Sequence, residues 1–310
     1  CVTGVQTCAL PISRRYDADA SSHAVLGPTT ADLIDFNSAT TLTGAVVLDS
    51  ANGNVAPPLT AEARDRKQSI RSSTSARGFV YGRARVSGTL VYAGTTGASK
   101  ETLYLAMPYH HGQFDAVEET WLNDLLIGNA RFSGLASVTH YLGTSGQSAD
   151  GGLLAATADW TADHRLRGIG YSVLQLTYDA TAYPTGIPNP SLVIRGRKVY
   201  DPRSTLTAWS DNWALCVRDY LSASFGLGCA AADIDDTTVI AAANIADESV
   251  TLADASTQAR YTANGTLSLA DAPLKILEQL LGAGAGIAVW SGGAWRLKAG
   301  AYEIPTAILT

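Results

Sequence analysis

The stretch LVIRGRKVYDPRSTLTAWSDNWALCVRDYL, residues 192–221, decides how this chain folds. Side chains alternate between two faces over residues 191–200, with an interruption at Gly196, and this pattern predicts a strand. Pro202 has no N–H to donate to a sheet ladder and favours extended geometry at the residue before it. The strand is therefore expected to end at Asp201.

A tryptophan-rich helix is predicted after the short polar loop that follows Arg203. It would carry Trp209 and Trp213, and further along the pair Arg218-Asp219. Apolar side chains share one face at helical spacing, and Leu215 falls on the opposite face. We therefore expect a core helix that is covered on both sides.

This order of motifs resembles the tail-tip attachment proteins of long-tailed phages, the host specificity protein J family. The similarity spans roughly residues 78–310. The residues that carry it are Tyr81 and Gly82, Gly186 to Pro188, Gly196, Tyr200, Asp201, Pro202, Arg203, Trp213, Asp219, Tyr220, Gly226 to Gly228, Asp235 and Asp236, Asn264, Gly265, Trp290 and Trp295.

The resemblance implies a structural subunit of a phage or prophage tail-tip or baseplate hub. Such a subunit forms a homotrimer that closes the tail tube, meets the distal tail protein and the tape-measure protein, and carries fibre domains for host attachment. The implied location is the virion tail tip, after assembly in the bacterial host cytoplasm. The host receptor would be reached only through a fibre part that this sequence lacks.

Two other classes of function stay open at this stage. One is a tail-associated glycan or peptidoglycan hydrolase, which needs polar residues that converge in a cleft. The other is a carbohydrate-binding β-domain, which needs a row of exposed aromatic rings. The composition includes 13 Tyr and 6 Trp among 310 residues, so aromatic contacts are available for either a core or an interface.

The composition favours an α+β, β-rich protein with extensive contacts. Charged residues make up 16% of the chain, against about 25% in an average globular protein. The net charge of −6 argues against specific nucleic-acid binding. No apolar run approaches the ~18 residues that would predict a membrane span.

The chain divides into four predicted segments. Residues 2–12 look like a translated sequencing adapter, and a secretory leader is the competing interpretation, so we set residues 1–12 apart from the fold. Residues 13–77 indicate an extended low-complexity arm. Residues 78–203 predict a barrel-like or sandwich-like hub domain of short strands, and residues 204–310 predict a smaller domain of helices packed on hairpins. With Cys1 at the start and Met107 as its one methionine, the chain is expected to be truncated at both ends.

Local signals predict the elements of both domains. Ser87-Gly88 indicates a hairpin between residues 79–86 and 89–93, and Asn264-Gly265 indicates another between residues 260–263 and 266–269. Further strands are expected over residues 102–107, 114–121, 136–142 and 168–178. Three more elements have the clearest signals: a helix capped by Asp235 or Asp236, a helix that begins at Asp271 and Pro273 and stops at Gly282, and a hairpin of residues 287–290 with 294–298.

Histidines and carboxylates give no convincing active site. His110 and His111 point to opposite faces of a strand, and His140 and His164 have no ligand-spaced neighbours, so loop or surface positions are expected for all four. A glycosidase needs two facing carboxyls ~5–9.5 Å apart, whereas neighbours such as Glu118-Glu119 diverge on a strand. We expect no catalytic residue, no cofactor and no metal, and hence no enzyme.

Two cysteines and two tryptophans leave alternatives open. Cys216 and Cys229 can be thiols or a disulfide, and thiols suit a protein assembled in the cytoplasm. Trp160 and Trp209 stand in polar surroundings, where core packing and interface contact are both compatible with the sequence.

Overall fold

The structure is a computed structural model, and it describes residues 76–301. The predicted adapter-like segment, the predicted arm up to residue 75 and the last residues 302–310 lie outside the described part. The strands are β1 (Gly78–Tyr81), β2 (Arg83–Val86), β3 (Tyr92–Thr96), β4 (Thr102–His111), β5 (Ala116–Leu122), β6 (Leu125–Leu126), β7 (Ala136–Leu142), β8 (Ile169–Thr177), β9 (Pro190–Arg195), β10 (Lys198–Asp201), β11 (Leu206–Trp209), β12 (Ser249–Thr251), β13 (Thr257–Ala259), β14 (Gly265–Ser268), β15 (Ile287–Ser291) and β16 (Ala294–Lys298). The helices are α1 (Gly151–Ala156), α2 (Trp213–Ser222), α3 (Asp236–Ala246) and α4 (Pro273–Ala283).

Two antiparallel sheets of four strands form a sandwich. Their strand orders are β2-β9-β5-β6 and β3-β4-β8-β7. Side chains from both sheets share one core cluster, as Leu105 on β4 and Leu174 on β8 do with Leu122 on β5. This arrangement confirms the predicted β-rich α+β class.

The helices pack around α2, the helix predicted from the opening stretch. Seven α2 residues lie in one cluster with residues of α3, α4 and β16. Leu215 is buried together with Trp213, so the prediction of a helix covered on both sides is confirmed. Phe79 and Tyr81 of β1 lie in the same cluster. The division into domains near Arg203 stays a prediction.

The predicted hairpin at Ser87-Gly88 is wrong. Gly82 has a φ of 60°, a left-handed conformation that breaks the predicted strand of residues 79–86 into β1 and β2. β2 pairs with β9, and β3 pairs with β4. The strands on either side of Ser87-Gly88 thus belong to different sheets.

The predicted hairpin at Asn264-Gly265 is also wrong. β14 pairs with β1, so that Gly265 lies opposite Tyr81, and β13 pairs with β12. The local Asn-Gly signal predicted that β14 pairs with the segment just before it, but β14 pairs with β1, which is far away in sequence.

Trp209 does not lie in the tryptophan-rich helix. It ends β11, which forms a hairpin with β10 across a turn that contains Pro202 and Arg203. Asn212 then begins α2 as its N-cap, and its side chain accepts hydrogen bonds from the backbone N–H groups of Ala214 and Leu215.

Three predictions in the second half are confirmed. Asp235 is the N-cap of α3. α4 begins at Pro273, as expected, but it runs through Gly282 and ends at Ala283. β15 and β16 form the predicted hairpin. Within residues 76–301, no helix combines the length and apolar character that crossing a membrane requires.

Candidate functional site: a charged junction around helix α2

Asp219, on α2, joins the helix to the first strand and to the loop after β9. The Tyr81 hydroxyl donates to Asp219 Oδ2 at 2.5 Å, and Arg197 Nε donates to the same oxygen at 3.0 Å. Burial and the neighbouring Asp219 carboxylate raise the pKa of Tyr81 well above its ordinary value. The tyrosine thus stays protonated and remains a hydrogen-bond donor. We call Tyr81, Gly82, Gly196, Arg197 and Asp219, with the groups that they contact, the α2 junction.

Two glycines let backbones approach closely at the α2 junction. The N–H of Gly196 donates to the carbonyl of Gly82 at 2.7 Å, and a Cβ on Gly196 would overlap the carbonyl oxygen of Val80. A Cβ on Gly82 would overlap the side chain of Asn264. The Asn264 amide oxygen accepts the N–H of Arg83 at 2.7 Å. These positions need glycine because no side chain fits there.

A second ion pair holds α2 to α3. Arg218 is 7% exposed, and it binds Asp236 with two hydrogen bonds of 2.6 and 2.9 Å. Its guanidinium lies 4.6 Å from the ring centre of Tyr200. Arg218 thus connects α2 to α3 through its bidentate pair with Asp236, and α2 to β10 through its contact with the Tyr200 ring.

A third cluster ties the β10–β11 turn to the end of α3. Arg203 donates to Asp201 in the same turn, to Asp247 at 2.7 Å and to Asn244 at 3.2 Å. Asn212, buried before α2, donates to the other oxygen of Asp247 at 2.8 Å. The turn residues predicted as a signature therefore anchor to helix ends that lie far along the chain.

The aromatic signature residues Trp213 and Tyr220 connect α2 to α4. Trp213 is fully buried, and its indole N–H donates to the carbonyl of Leu280 on α4. The Tyr220 hydroxyl donates to the Pro273 carbonyl at the start of α4. Trp295 on β16 packs against the same core cluster, and its carbonyl accepts the N–H of Asp235 at 2.9 Å.

Most of the signature residues thus lie around α2, either at the α2 junction or at contacts with α3 and α4. Sequence reasoning missed Arg197 and the double role of Asn212. An asparagine directly before an apolar helix is a readable N-cap signal, so Asn212 could have been found. Nothing in the sequence around Arg197 indicates that it pairs with Asp219.

The histidine predictions need correction. His110 is 2% exposed on β4, so its expected loop or surface position is wrong, and burial lowers its pKa to about 4. His140 links the two sheets, because its ring contacts Ser172 on β8 at 2.6 Å and Thr120 on β5 at 3.2 Å. Burial lowers the pKa of His140 to about 4 as well. His164 is exposed, as predicted.

Trp160 lies in the core and Trp209 only partly so. Trp160 is 4% exposed in a cluster with Ala106 and Tyr171, which settles its packing in favour of the core. Trp209 is half-buried, and its indole N–H donates to the carbonyl of Gly82 at 3.2 Å.

The acidic pair on β5 is bound by arginines. Glu118 accepts from Arg83 at 2.5 Å and lies 3.9 Å from Arg195, while Glu119 accepts the indole N–H of Trp121 at 2.8 Å. Cys216 and Cys229 are free thiols, and burial raises the pKa of Cys216. In the described range, no three His, Cys, Asp or Glu side chains cluster as a metal site would require.

Comparisons with known proteins include a distant structural likeness. No protein-family model matches the chain, and no curated protein matches it. The chain resembles a chain of the solved structure described as "Virion of native gene transfer agent (GTA) particle", with a TM-score of 0.40 and 18% sequence identity. The match covers 66% of this chain and 57% of the other.

Proposed function

We propose that this chain is a structural subunit of a phage tail-tip hub. In this proposal three copies close the end of the tail tube, contact the distal tail protein and the tape-measure protein, and carry fibre domains for host attachment. The observation in its support is that the residues that carry the sequence resemblance meet in space. Tyr81, Gly196 and Asp219 are far apart in sequence, yet they form one bonded network.

The chemistry of the α2 junction suits a rigid part of an assembly. The Asp219 carboxylate of the junction is bound by the Arg197 guanidinium, and beside the junction Asp236 is bound by Arg218. The largely buried Asp219–Arg197 pair resists separation, because the loss of one partner would leave the other charge uncompensated. A hub that holds a closed ring against neighbouring proteins needs contacts that resist separation.

We further propose that the chain performs no catalysis of its own. The carboxylates of the α2 junction are occupied as hydrogen-bond acceptors, so they hold elements together instead of facing a substrate. Turnover of peptidoglycan by the purified chain, abolished by one carboxylate substitution, would contradict this part of the proposal and favour a tail-associated hydrolase.

The ring is tested by mass and by imaging. We expect light scattering at high protein concentration to give three times the 32.4 kDa of one chain. Electron microscopy after addition of the cognate distal tail protein should then show three-fold rings. A distal tail protein from an unrelated phage is the matched control and should leave the particles unchanged. A chain that stays monomeric under both conditions rules out the hub.

A further inference from the structure

Within residues 76–301, Asn264-Gly265 is the one place where an asparagine directly precedes a glycine. In such a pair the backbone nitrogen of the glycine can attack the side-chain amide carbon of the asparagine, because glycine has no side chain that hinders the approach. This chemistry is one reason why asparagine is a thermolabile residue. Asn264 is exposed, so water reaches the reacting atoms. The hub proposal makes no use of this reactivity.

The attacking nitrogen is held by the pairing of β14 with β1. Gly265 lies opposite Tyr81 in this antiparallel ladder, and just beyond its other end the N–H of Leu269 donates to the carbonyl of Arg77 at 2.9 Å. Hydrogen-bonded pairs recur at every second residue of an antiparallel ladder. The N–H of Gly265 therefore donates to the carbonyl of Tyr81. While this bond is intact, the Gly265 nitrogen is fixed in the ladder.

The amide group of Asn264 is held as well. Its Oδ1 accepts the backbone N–H of Arg83 at 2.7 Å, and its Nδ2 donates to Asp211 Oδ2 at 3.3 Å. The side chain lies so close to Gly82 that a Cβ there would overlap it. To reach the Gly265 nitrogen, the amide carbon must leave these partners.

We propose that Asn264 is a site of spontaneous deamidation whose rate is set by opening of the β1–β14 ladder. After opening, the Gly265 nitrogen loses its proton to water and forms a bond to Asn264 Cγ. The bond between Cγ and Nδ2 breaks, and the leaving nitrogen takes a proton from water and departs as ammonia.

Water then opens the resulting succinimide ring at either of its carbonyl groups. One opening gives aspartate at position 264, and the other gives isoaspartate, in which the backbone runs through the former side chain. The net reaction consumes one water and releases one ammonia, and nothing is oxidised or reduced. This inference goes beyond the hub proposal and stands without it.

Both products weaken the α2 junction. An aspartate at position 264 still accepts the N–H of Arg83, but it places a negative charge where Nδ2 had donated to Asp211, and the two carboxylates repel each other. Isoaspartate lengthens the backbone by one methylene group and so shifts β14 against β1. Asp211 directly precedes Asn212, the N-cap of α2, so the repulsion acts next to the start of the helix.

Peptide mapping of the full-length chain measures the reaction. Trypsin releases residues 261–275 as one peptide, since Arg260 and Lys275 flank it, and mass spectrometry resolves its amide and acid forms. At mildly alkaline pH we expect deamidation to be at least about tenfold slower in the folded chain than in urea, because only the opened ladder reacts. Asn52-Gly53 is the internal reference in urea, where both pairs should react alike. Equal rates at Asn264 in the folded chain and in urea, or no reaction there in urea, would overturn the proposal.

Three variants separate the chemistry from the opening. Asp211→Ala removes an acceptor of the Asn264 amide and should speed the reaction about threefold in the folded chain, the value of a weak hydrogen bond, but leave it unchanged in urea. Gly265→Ala adds a Cβ that meets no atom within 4 Å, and its methyl group should slow the reaction in urea by hindering the attack.

Asn264→Asp reproduces one product and should unfold at a lower urea concentration than the unaltered chain. The proposal is also overturned if Asp211→Ala leaves the rate in the folded chain unchanged, or if Gly265→Ala reacts in urea as fast as the unaltered chain. An Asn264→Asp chain with an unaltered urea midpoint would contradict the predicted weakening of the α2 junction.

Discussion

The α2 junction and the interior of the sandwich hold their elements together by different means. At the α2 junction, ionised groups meet: Asp219 and Arg197 are only 15% and 19% exposed in their side chains and lie 3.0 Å apart. Between the sheets, a neutral His140 bridges two hydroxyl groups. The first region depends on charge being present, and the second depends on charge being absent.

The largest effect is expected from removal of the charge at the α2 junction. Asp219→Asn keeps the shape of the side chain but leaves Arg197 without its counter-charge, which should lower the free energy of unfolding by about 4 kcal/mol. Denaturation in urea measures the loss.

Asp271→Asn is the matched control for this substitution. Asp271 forms an exposed ion pair with Lys275, four residues further along the chain. Such pairs contribute about 0.5 kcal/mol or less to the free energy of unfolding. Equal losses in the two variants would show that the α2 junction does not rely on its buried charge.

Acid should weaken the sandwich next most strongly. His140 titrates near 4 in the folded chain instead of near 6.5, because burial lowers its pKa. The unfolded chain therefore takes up a proton first as the pH falls. Stability is full above pH ~6.5 and decreases toward pH ~4, by up to about 3 kcal/mol for this group. His110 adds a loss of the same sign.

Denaturation midpoints between pH 7 and pH 4.5 measure this decrease. His140→Gln removes one of the two buried imidazoles and should make the pH dependence clearly shallower. The exposed His164→Gln should leave the dependence as it is. A His140→Gln chain with an unaltered pH dependence would mean that the bridge between the sheets does not titrate as described.

A smaller effect is expected from a single methyl group at the α2 junction. Gly196→Ala would force a Cβ against the carbonyl oxygen of Val80, and overpacking of this kind costs about 2 kcal/mol. At Gly265 a Cβ meets no atom within 4 Å, so Gly265→Ala should cost clearly less. Thermal or urea denaturation of the pair compares the two, and a reversed order would contradict the close approach at Gly196.

Local signals in the sequence predicted the elements whose partners are close along the chain. Asp235 caps α3, Pro273 begins α4, and β15 turns directly into β16. In each case the caps and turns that define the element lie within a few residues of it. The β-rich α+β class follows from such signals as well.

The same local signals could not predict which strands pair at long range. Asn264-Gly265 has the composition of a hairpin turn, but the Asn264 side chain binds the N–H of Arg83, and Gly265 pairs with Tyr81. The sequence contains no local sign of a partner so far away. His110 was misplaced for a related reason, since it lies opposite Gly170 of β8, a strand far along the chain.

The sequence could predict most residues of the candidate site but not the hydrogen bonds between them. The resemblance named Tyr81, Gly196 and Asp219, whereas their meeting point depends on how β1, the loop after β9 and α2 pack together. Arg197 completes that network, and only the folded arrangement identifies it.

The pairing of β1 with β14 also sets the order in which the protein can form. Gly78 lies opposite Ser268, so β1 can pair only with a strand that lies near the far end of the described chain. Contacts this distant in sequence slow folding, because the chain loses the entropy of closing a long loop before the contacts can stabilise it. On the ribosome, β1 must remain unpaired with β14 until that strand has been synthesised. The β1–β14 pair is therefore expected to form late, and until then β1 of the nascent chain needs protection from aggregation.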